Sequence, residues 1–223
     1  MSELFANIAR YTDLLPILLF INLAFRGKRE VNKGLWVIFF YCVLVALNDN
    51  ILFLVIPDSY SSYLFSIFTL VEYLAFSLFL LFHSDNKRLK QFLLAVFLLF
   101  SIFIGVYFLI VPFDFLDSVP VGVETILVIG FSVFFLYEQV NKSNVLLYNT
   151  SAFWIITGFL IYLAGSFFIY LYANQVPIEE LKKFWFITFI FTSIKNIFIS
   201  IGFWLQAKKP DIHHPNEFQP FLN

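Results

Sequence analysis

Long apolar stretches alternate with short polar ones along the whole chain. Each apolar stretch has about twenty residues, the length an α-helix needs to cross about 30 Å of hydrocarbon at about 1.5 Å per residue. Seven such stretches occur, near 8–25, 34–56, 60–82, 89–111, 119–138, 151–173 and 183–206. The pattern predicts an all-α polytopic membrane protein with seven transmembrane helices over residues 1–206, followed by a short tail at 207–223.

The polar connections divide the basic residues unevenly between the two sides of the predicted bundle. One side holds Arg26, Lys28, Arg29, Lys33, Lys87, Arg88, Lys90, Lys142, Lys208 and Lys209. The other side holds Arg10, Lys182 and Lys183. Because cytoplasmic loops carry an excess of Lys and Arg, the first side is predicted to be cytoplasmic. The N-terminus is then outside, the tail is cytoplasmic, and the protein is multi-pass in the plasma or inner membrane.

Composition supports a lipid environment and excludes nucleic acid as a partner. Hydrophobic residues make up 61% of the 223 residues and charged residues only 13%, a balance outside the range of soluble globular domains. The net charge of −1 provides no basic field for nucleic acid. The predicted surroundings are therefore the lipid bilayer. Cys42 lies inside an apolar stretch and is predicted to be a small buried hydrophobe.

Lys195 stands near the centre of the seventh apolar stretch. An ionisable side chain at that depth is costly in hydrocarbon unless a partner or water meets it, so it indicates a functional site. Glu72 in the third stretch lies about twelve residues from the outer end, and Lys195 lies at about the same distance in its own stretch. The two residues are thus predicted to share a level. They form either a structural ion pair or part of a site for a ligand, ion or proton.

Two further carboxyl residues lie in the outer third of their predicted helices: Asp49, flanked by two asparagines in the second stretch, and Glu124 in the fifth. With Glu72 they make three carboxylates, which the one ammonium of Lys195 cannot neutralise. At least one of them is therefore predicted either to be protonated or to reach an outer water-filled cavity.

Neutral partners for these charges are expected from Asn196, which follows Lys195 directly, and from nearby hydroxyls, namely those of Thr69, Tyr73, Ser77, Thr157, Tyr162, Ser166, Ser193 and Ser200. Asp49, Glu124 and Asn196, together with Glu72 and Lys195, are the candidate ligand or ion site.

Motifs for catalysis are missing from the sequence. The histidines are His83, His213 and His214, and their spacing cannot supply a three-ligand metal site. No glycine-rich phosphate loop, nucleophile elbow or paired-cysteine motif is present. The expectation is a protein that is not an enzyme and holds no metal.

Two halves of the sequence resemble one another in a plan of three helices, one helix and three helices. The segment 67–72, IFTLVE, aligns with 190–195, IFTSIK, and sets Glu72 against Lys195. Other matches follow in order: Asp13 with Glu124, Phe20 with Phe131, and Trp36 with Trp154. Either a parallel internal repeat or chance similarity between segments rich in Phe, Ile and Leu explains them.

The outline resembles the microbial rhodopsins, through seven apolar stretches, an outside N-terminus, Lys195 midway along the seventh stretch and Glu72 in the third. The resemblance implies retinal held on Lys195 as a Schiff base, with Glu72 as counterion. The motifs that accompany these residues in that family are not present. The segment 153–162, FWIITGFLIY, and Lys195-Asn196-Ile197 are also similar to uncharacterised seven-helix proteins and sensor-kinase membrane regions of Bacteroidetes type.

The leading hypothesis is a receptor-like sensor or interaction protein whose polar pocket around Glu72 and Lys195 opens to the outside. Its ligand is a small molecule, an ion or a proton, and a separate signalling partner or a homo-oligomer transmits the response. A small-solute or proton-coupled transporter is the main alternative, because charged residues near the midplane of a repeated bundle are the layout of such proteins. A retinal-binding protein that uses Lys195 is a third.

Overall fold

A computed structural model describes most of the chain. The described residues are 2–25, 31–52, 61–111, 118–142, 146–173 and 175–208. His213 and His214, the basic connection at 26–30 and most of the predicted tail lie outside these ranges. Within them, every regular element is helical, so the all-α prediction is confirmed.

Eight α-helices make up the described chain. They are α1 (Ser2–Phe25), α2 (Lys33–Leu47), α3 (Ser61–His83), α4 (Lys87–Ile110), α5 (Ser118–Lys142), α6 (Ser151–Tyr172), α7 (Ile178–Phe184) and α8 (Phe186–Lys208). A π-helical turn, Asn48–Leu52, continues α2, and a 3-10 turn, Leu147–Asn149, precedes α6.

Polar side chains fix where several helices begin. Asn32 caps α2 by accepting from the backbone N–H of Gly34 at 2.8 Å. Asn86 accepts from Arg88 at 3.0 Å at the start of α4, and Thr150 caps α6. Such caps satisfy backbone donors that have no partner inside the helix. They explain why the helices begin close to the boundaries that the apolar pattern predicts.

The first and last helices differ in detail from the expected apolar stretches. α1 continues through Asp13 and Pro16, the residues that interrupt the first stretch. The last stretch is divided at Trp185 between short α7 and long α8, and α8 extends to Lys208. In α7, Glu179 and Glu180 lie in the first turn and lysines in the last, an arrangement that suits the helix dipole. This polar segment is therefore separate from the apolar helix that follows.

Five of the described helices are long and apolar enough to cross a bilayer, namely α1, α4, α5, α6 and α8. The described part of α3 contributes a shorter apolar helix, Ile67–His83. Large hydrophobic side chains cover much of the outer surface, including Leu99, Leu109 and Phe168. An exposed apolar surface of this extent fits contact with lipid. The molecule is accordingly a membrane protein.

The packing centres on α8. This helix lies against α6 and α1, while α5 contacts both α6 and α3, and α2 lies between α1 and α3. α4 packs mainly on α3. Every helix except α7 contributes buried hydrophobic residues to one large cluster in the interior, while Ala173 and Leu181 form a second, small one.

Glycines allow α6 and α8 to approach closely. A Cβ added to Gly158 would lie 2.8 Å from Cβ of Phe198 and 3.2 Å from the backbone oxygen of Lys195. A Cβ on Gly202 would lie 2.8 Å from Cγ1 of Ile155, and one on Gly165 would overlap the ring of Phe191. Small residues at such seams let the backbones of membrane helices come together. The close approach at these three glycines forms a seam that holds Lys195 against α6.

Candidate functional site

Three helices bring one charged or polar side chain each to the middle of the bundle. α2 provides Tyr41, α3 provides Glu72 and α8 provides Lys195. Their exposed fractions are 1%, 5% and 1%. The sequence prediction that Glu72 and Lys195 lie at the same depth is confirmed, because Nζ of Lys195 is 3.3 Å from Oε1 of Glu72.

Tyr41 connects the two charges. Its hydroxyl donates a hydrogen bond to Oε1 of Glu72 and accepts one from Nζ of Lys195 at 2.5 Å. These directions suit an ionised carboxylate, which only accepts, and an ammonium, which only donates. Hydrogen bonds to ionised groups are the strong ones, and a closed triangle of them offsets part of the cost of burying two charges.

Three aromatic rings lie close to the ammonium group of Lys195. Nζ of Lys195 lies 3.9 Å from the ring centroid of Tyr162, 4.9 Å from that of Tyr41 and 5.6 Å from that of Phe159. A cation over an aromatic face within about 6 Å of its centroid is attracted by the ring quadrupole. The amine therefore has a carboxylate, a phenolic oxygen and three rings as neighbours.

Asn196, the residue after Lys195, contacts a different helix. Its Nδ2 donates to Oδ1 of Asp13 on α1 at 2.6 Å. Asp13 is 1% exposed, and its Oδ2 accepts no hydrogen bond from any residue that the structure describes. Lys195 and Arg10 lie within electrostatic range of this carboxyl. The second polar contact of α8 thus fixes a carboxyl group beside the central cluster.

Glu124 on α5 is equally buried but makes no hydrogen bond through its Oε1 to any described residue. The carboxyl lies within electrostatic range of both Glu72 and Lys195. The structure therefore brings Glu124 near the pair without joining it to the hydrogen-bonded triangle.

Asp49 lies at the π-helical turn that follows α2. Its carboxyl accepts from Nδ2 of Asn48 at 2.8 Å, and Nδ2 of Asn50 donates to the backbone oxygen of Ala46 at 2.8 Å. Asp49 is half-buried, and the charges of Lys195, Arg10 and Glu72 reach it. Single π turns inside α-helices are common at functional sites. The turn places a carboxyl at the edge of the buried charges.

Several hydroxyls that the sequence offers as neutral partners bond their own helices instead. Thr157 donates to Phe153 O at 2.7 Å, Ser166 to Tyr162 O at 2.6 Å and Ser193 to Phe189 O at 2.9 Å. Back-bonding of this kind satisfies a buried hydroxyl locally. These three residues therefore contribute little to the site.

Tyr41 and Asp13 belong to the arrangement but are not among the candidates from sequence, whereas Tyr162 is one of the neutral partners that the sequence offers. Asp13 carries a signal, because it is an ionisable residue inside an apolar stretch. Tyr41 carries none that separates it from the other aromatic residues of this Phe-rich chain, and its role follows from packing alone.

The surroundings of Lys195 bear on which groups the site can hold. The ring centroids of Tyr41, Phe159 and Tyr162 lie 3.9 to 5.6 Å from Nζ, and Oε1 of Glu72 lies 3.3 Å from it. Among the described residues, no cluster of three His, Cys, Asp or Glu side chains is arranged to hold a metal ion.

Comparison of the chain with protein-family models, with curated proteins and with solved structures gave no match in any of the three. The function therefore has to be inferred from the buried charges themselves.

Proposed function

We propose that this protein is a receptor-like sensor, multi-pass in the plasma or inner membrane, whose ligand or ion site is the buried cluster of Tyr41, Glu72 and Lys195. The hydrogen-bonded triangle at the meeting point of α2, α3 and α8 carries the proposal. Buried charges are expensive and are kept in membrane interiors mainly where they handle a ligand, an ion or a proton. The carboxyls of Asp13 and Glu124 lie within electrostatic range of Lys195, and each has an oxygen that accepts no hydrogen bond from the described residues.

The proposed topology has seven spans, with the N-terminus outside and the C-terminus in the cytoplasm. α2 and the π turn run without a break from Lys33 to Leu52, which supports a second span. At the end of α8, Nζ of Lys208 lies 3.7 Å from the ring centroid of Trp204. An exposed tryptophan beside a basic residue suits a membrane interface on the cytoplasmic side.

The closed cluster indicates how binding of a ligand would change the conformation of the protein. The ion pair in the described structure holds α3 against α8 and, through Tyr41, α2 against both. A ligand or ion that competes for Glu72 or Lys195 would release these contacts and let the helices separate, since it binds the open state more strongly than the closed one. A separate signalling partner or a homo-oligomer would then respond to the moved helices.

Cys42 provides a direct test, because it is the only cysteine of the chain, is buried and follows Tyr41. The measurement is the rate at which a small water-soluble thiol reagent labels Cys42 in the full chain in bilayers. In the double variant Glu72→Gln/Lys195→Met, labelling should be at least ~10-fold faster, as expected if the open state becomes populated. The exposed pair variant Glu179→Gln/Lys182→Met is the matched control and should label like wild type. Equal rates in all three proteins would contradict a cluster that gates the interior.

Transport of a small solute or proton is the second candidate function, and one observation favours it. The contact of α1 with α8 and the contact of α5 with α3 are equivalent in a three-one-three repeat. In both, an outer carboxyl, Asp13 or Glu124, faces the helix that carries the central charge. Repeated bundles with midplane charges are typical of transporters. Proton or solute flux into vesicles that is lost in Glu72→Gln would support transport, whereas unchanged flux would count against it.

A further inference from the structure

The ammonium of Lys195 occupies a cage that has the composition of a binding site for organic cations. The ring centroids of Tyr41, Phe159 and Tyr162 lie within 5.6 Å of Nζ, and Oε1 of Glu72 lies 3.3 Å from the same nitrogen. All four cage residues are buried. Aromatic cages closed by a carboxylate are the usual way in which proteins recognise ammonium ligands.

The groups around the cage favour a cation over an anion. Besides Glu72, the carboxyl groups of Asp49 and Glu124 lie within electrostatic range of Lys195. An anionic ligand would have to take Lys195 from Glu72 and then remain among further carboxyls. An ammonium ligand would take the place of Lys195 and keep Glu72 neutralised.

We propose that the cage of Tyr41, Phe159, Tyr162 and Glu72 is a recognition site for small organic ammonium ions, and that Lys195 is its tethered occupant. This inference rests on the proposed function and names the ligand class of the same site. An external ammonium displaces the side chain of Lys195 from the cage. Lys195 then leaves Glu72 and Tyr41, and the contact of α8 with α2 and α3 is released.

The first arm of the test removes the tethered occupant. Lys195→Ala deletes the three carbons and the nitrogen that n-propylammonium would replace. In the full chain in lipid nanodiscs, n-propylammonium should raise the melting temperature of Lys195→Ala in a saturable way, while equal concentrations of n-propanol or propionate should not. Lys182→Ala, which changes an exposed lysine, should show no such shift. A shift as large with n-propanol would overturn the ammonium assignment.

The second arm uses the wild-type chain, so that it does not depend on whether Lys195→Ala folds. Wild type should bind n-propylammonium about tenfold more weakly than Lys195→Ala, because the ligand has to displace Lys195 first. Binding should be lost in Tyr162→Leu, which removes the nearest ring, and kept in Tyr148→Leu, which changes an exposed one. Absence of wild-type binding at concentrations that saturate Lys195→Ala would overturn the inference and identify Lys195 as a structural cross-link. Faster labelling of Cys42 in Glu72→Gln/Lys195→Met would still support the proposed gate in that case.

Discussion

The central cluster and the carboxyls beside it differ in how their polar atoms are satisfied. Lys195 has Glu72, Tyr41 and the ring of Tyr162 as partners. Asp13 and Glu124 are as deeply buried, yet each has an oxygen that accepts no hydrogen bond from the described part of the chain. Leaving a buried acceptor unpaired costs free energy. The cluster therefore stabilises the closed bundle, while the two flanking carboxyls keep unused capacity for a proton or a cation.

The largest effect is expected when one partner of the central pair is removed. Lys195→Ala leaves the carboxylate of Glu72 buried without its cation and should lower the free energy of unfolding by about 3–5 kcal/mol. Reversible unfolding in mixed micelles measures the change. Lys183→Ala, in an exposed ion pair, is the matched control and should cost less than about 1 kcal/mol. A cost for Lys195→Ala as small as that of the control would mean that the triangle does not hold the helices.

Removal of both charges should cost less than removal of one. In Glu72→Gln/Lys195→Met no uncompensated charge remains, so the loss should be smaller than that of Lys195→Ala by about 2 kcal/mol. The same unfolding assay compares the two proteins. Additive losses from Glu72→Gln and Lys195→Met measured singly would show that the two residues do not interact.

The next largest loss of stability is expected at the close contact between α6 and α8, which holds Lys195 in place. Gly158→Ala places a methyl group against Phe198 and the backbone of Lys195, and overpacking of this kind should cost about 1–3 kcal/mol. Gly105→Ala is the matched control, because a Cβ there would meet nothing within 4 Å. The unfolding free energy should be unchanged or slightly raised in the control. Equal effects at both positions would contradict close packing of α6 on α8.

A smaller loss is expected at the first flanking carboxyl. Asn196→Ala removes the donor to Oδ1 of Asp13 and should cost about 1–2 kcal/mol. Asp13→Asn keeps the shape and an acceptor oxygen, so it should cost less than Asn196→Ala in the same assay. The reverse order would mean that the charge of Asp13, rather than its hydrogen bond, holds α1 to α8.

The smallest effect is expected at Glu124. Its Oε1 has no described partner to lose, and Glu124→Gln keeps the size and shape of the side chain, so stability should change by less than about 1 kcal/mol. Unfolding measurements of this variant beside Asn196→Ala compare the two flanking sites directly. A loss above that of Asn196→Ala would assign Glu124 a structural role equal to that of Asp13.

The sequence was sufficient for features that follow from local chemistry. Helix positions were predictable because apolar length and capping residues such as Asn86 and Thr150 act along the chain. The pairing of Glu72 with Lys195 was predictable from depth, since few charges are present and both lie about twelve residues from the outer ends of their stretches.

Other features depend on how the helices are rotated about their axes, which a single sequence does not specify. Tyr41 is one aromatic residue among many, and only packing brings its hydroxyl between Glu72 and Lys195. The contact of Asn196 with Asp13 joins α8 to α1, which are far apart in sequence. The separate α7 depends on a turn at Trp185. The π turn at Asp49 arises in a run of three poor helix formers, but its type was not predicted.

Solid-state NMR of the full chain in lipid bilayers tests the central claim most directly, with isotope labels on the lysine side-chain nitrogen and on the glutamate carboxyl carbon. The measurement is the dipolar coupling between Nζ of Lys195 and the carboxyl of Glu72, identified by its disappearance in Glu72→Gln. The predicted result is a coupling of the size expected for a carboxyl carbon whose oxygen lies 3.3 Å from Nζ, with slow exchange of the ammonium protons with water. A Lys195 ammonium that exchanges rapidly and couples to no carboxyl would contradict a closed, buried site.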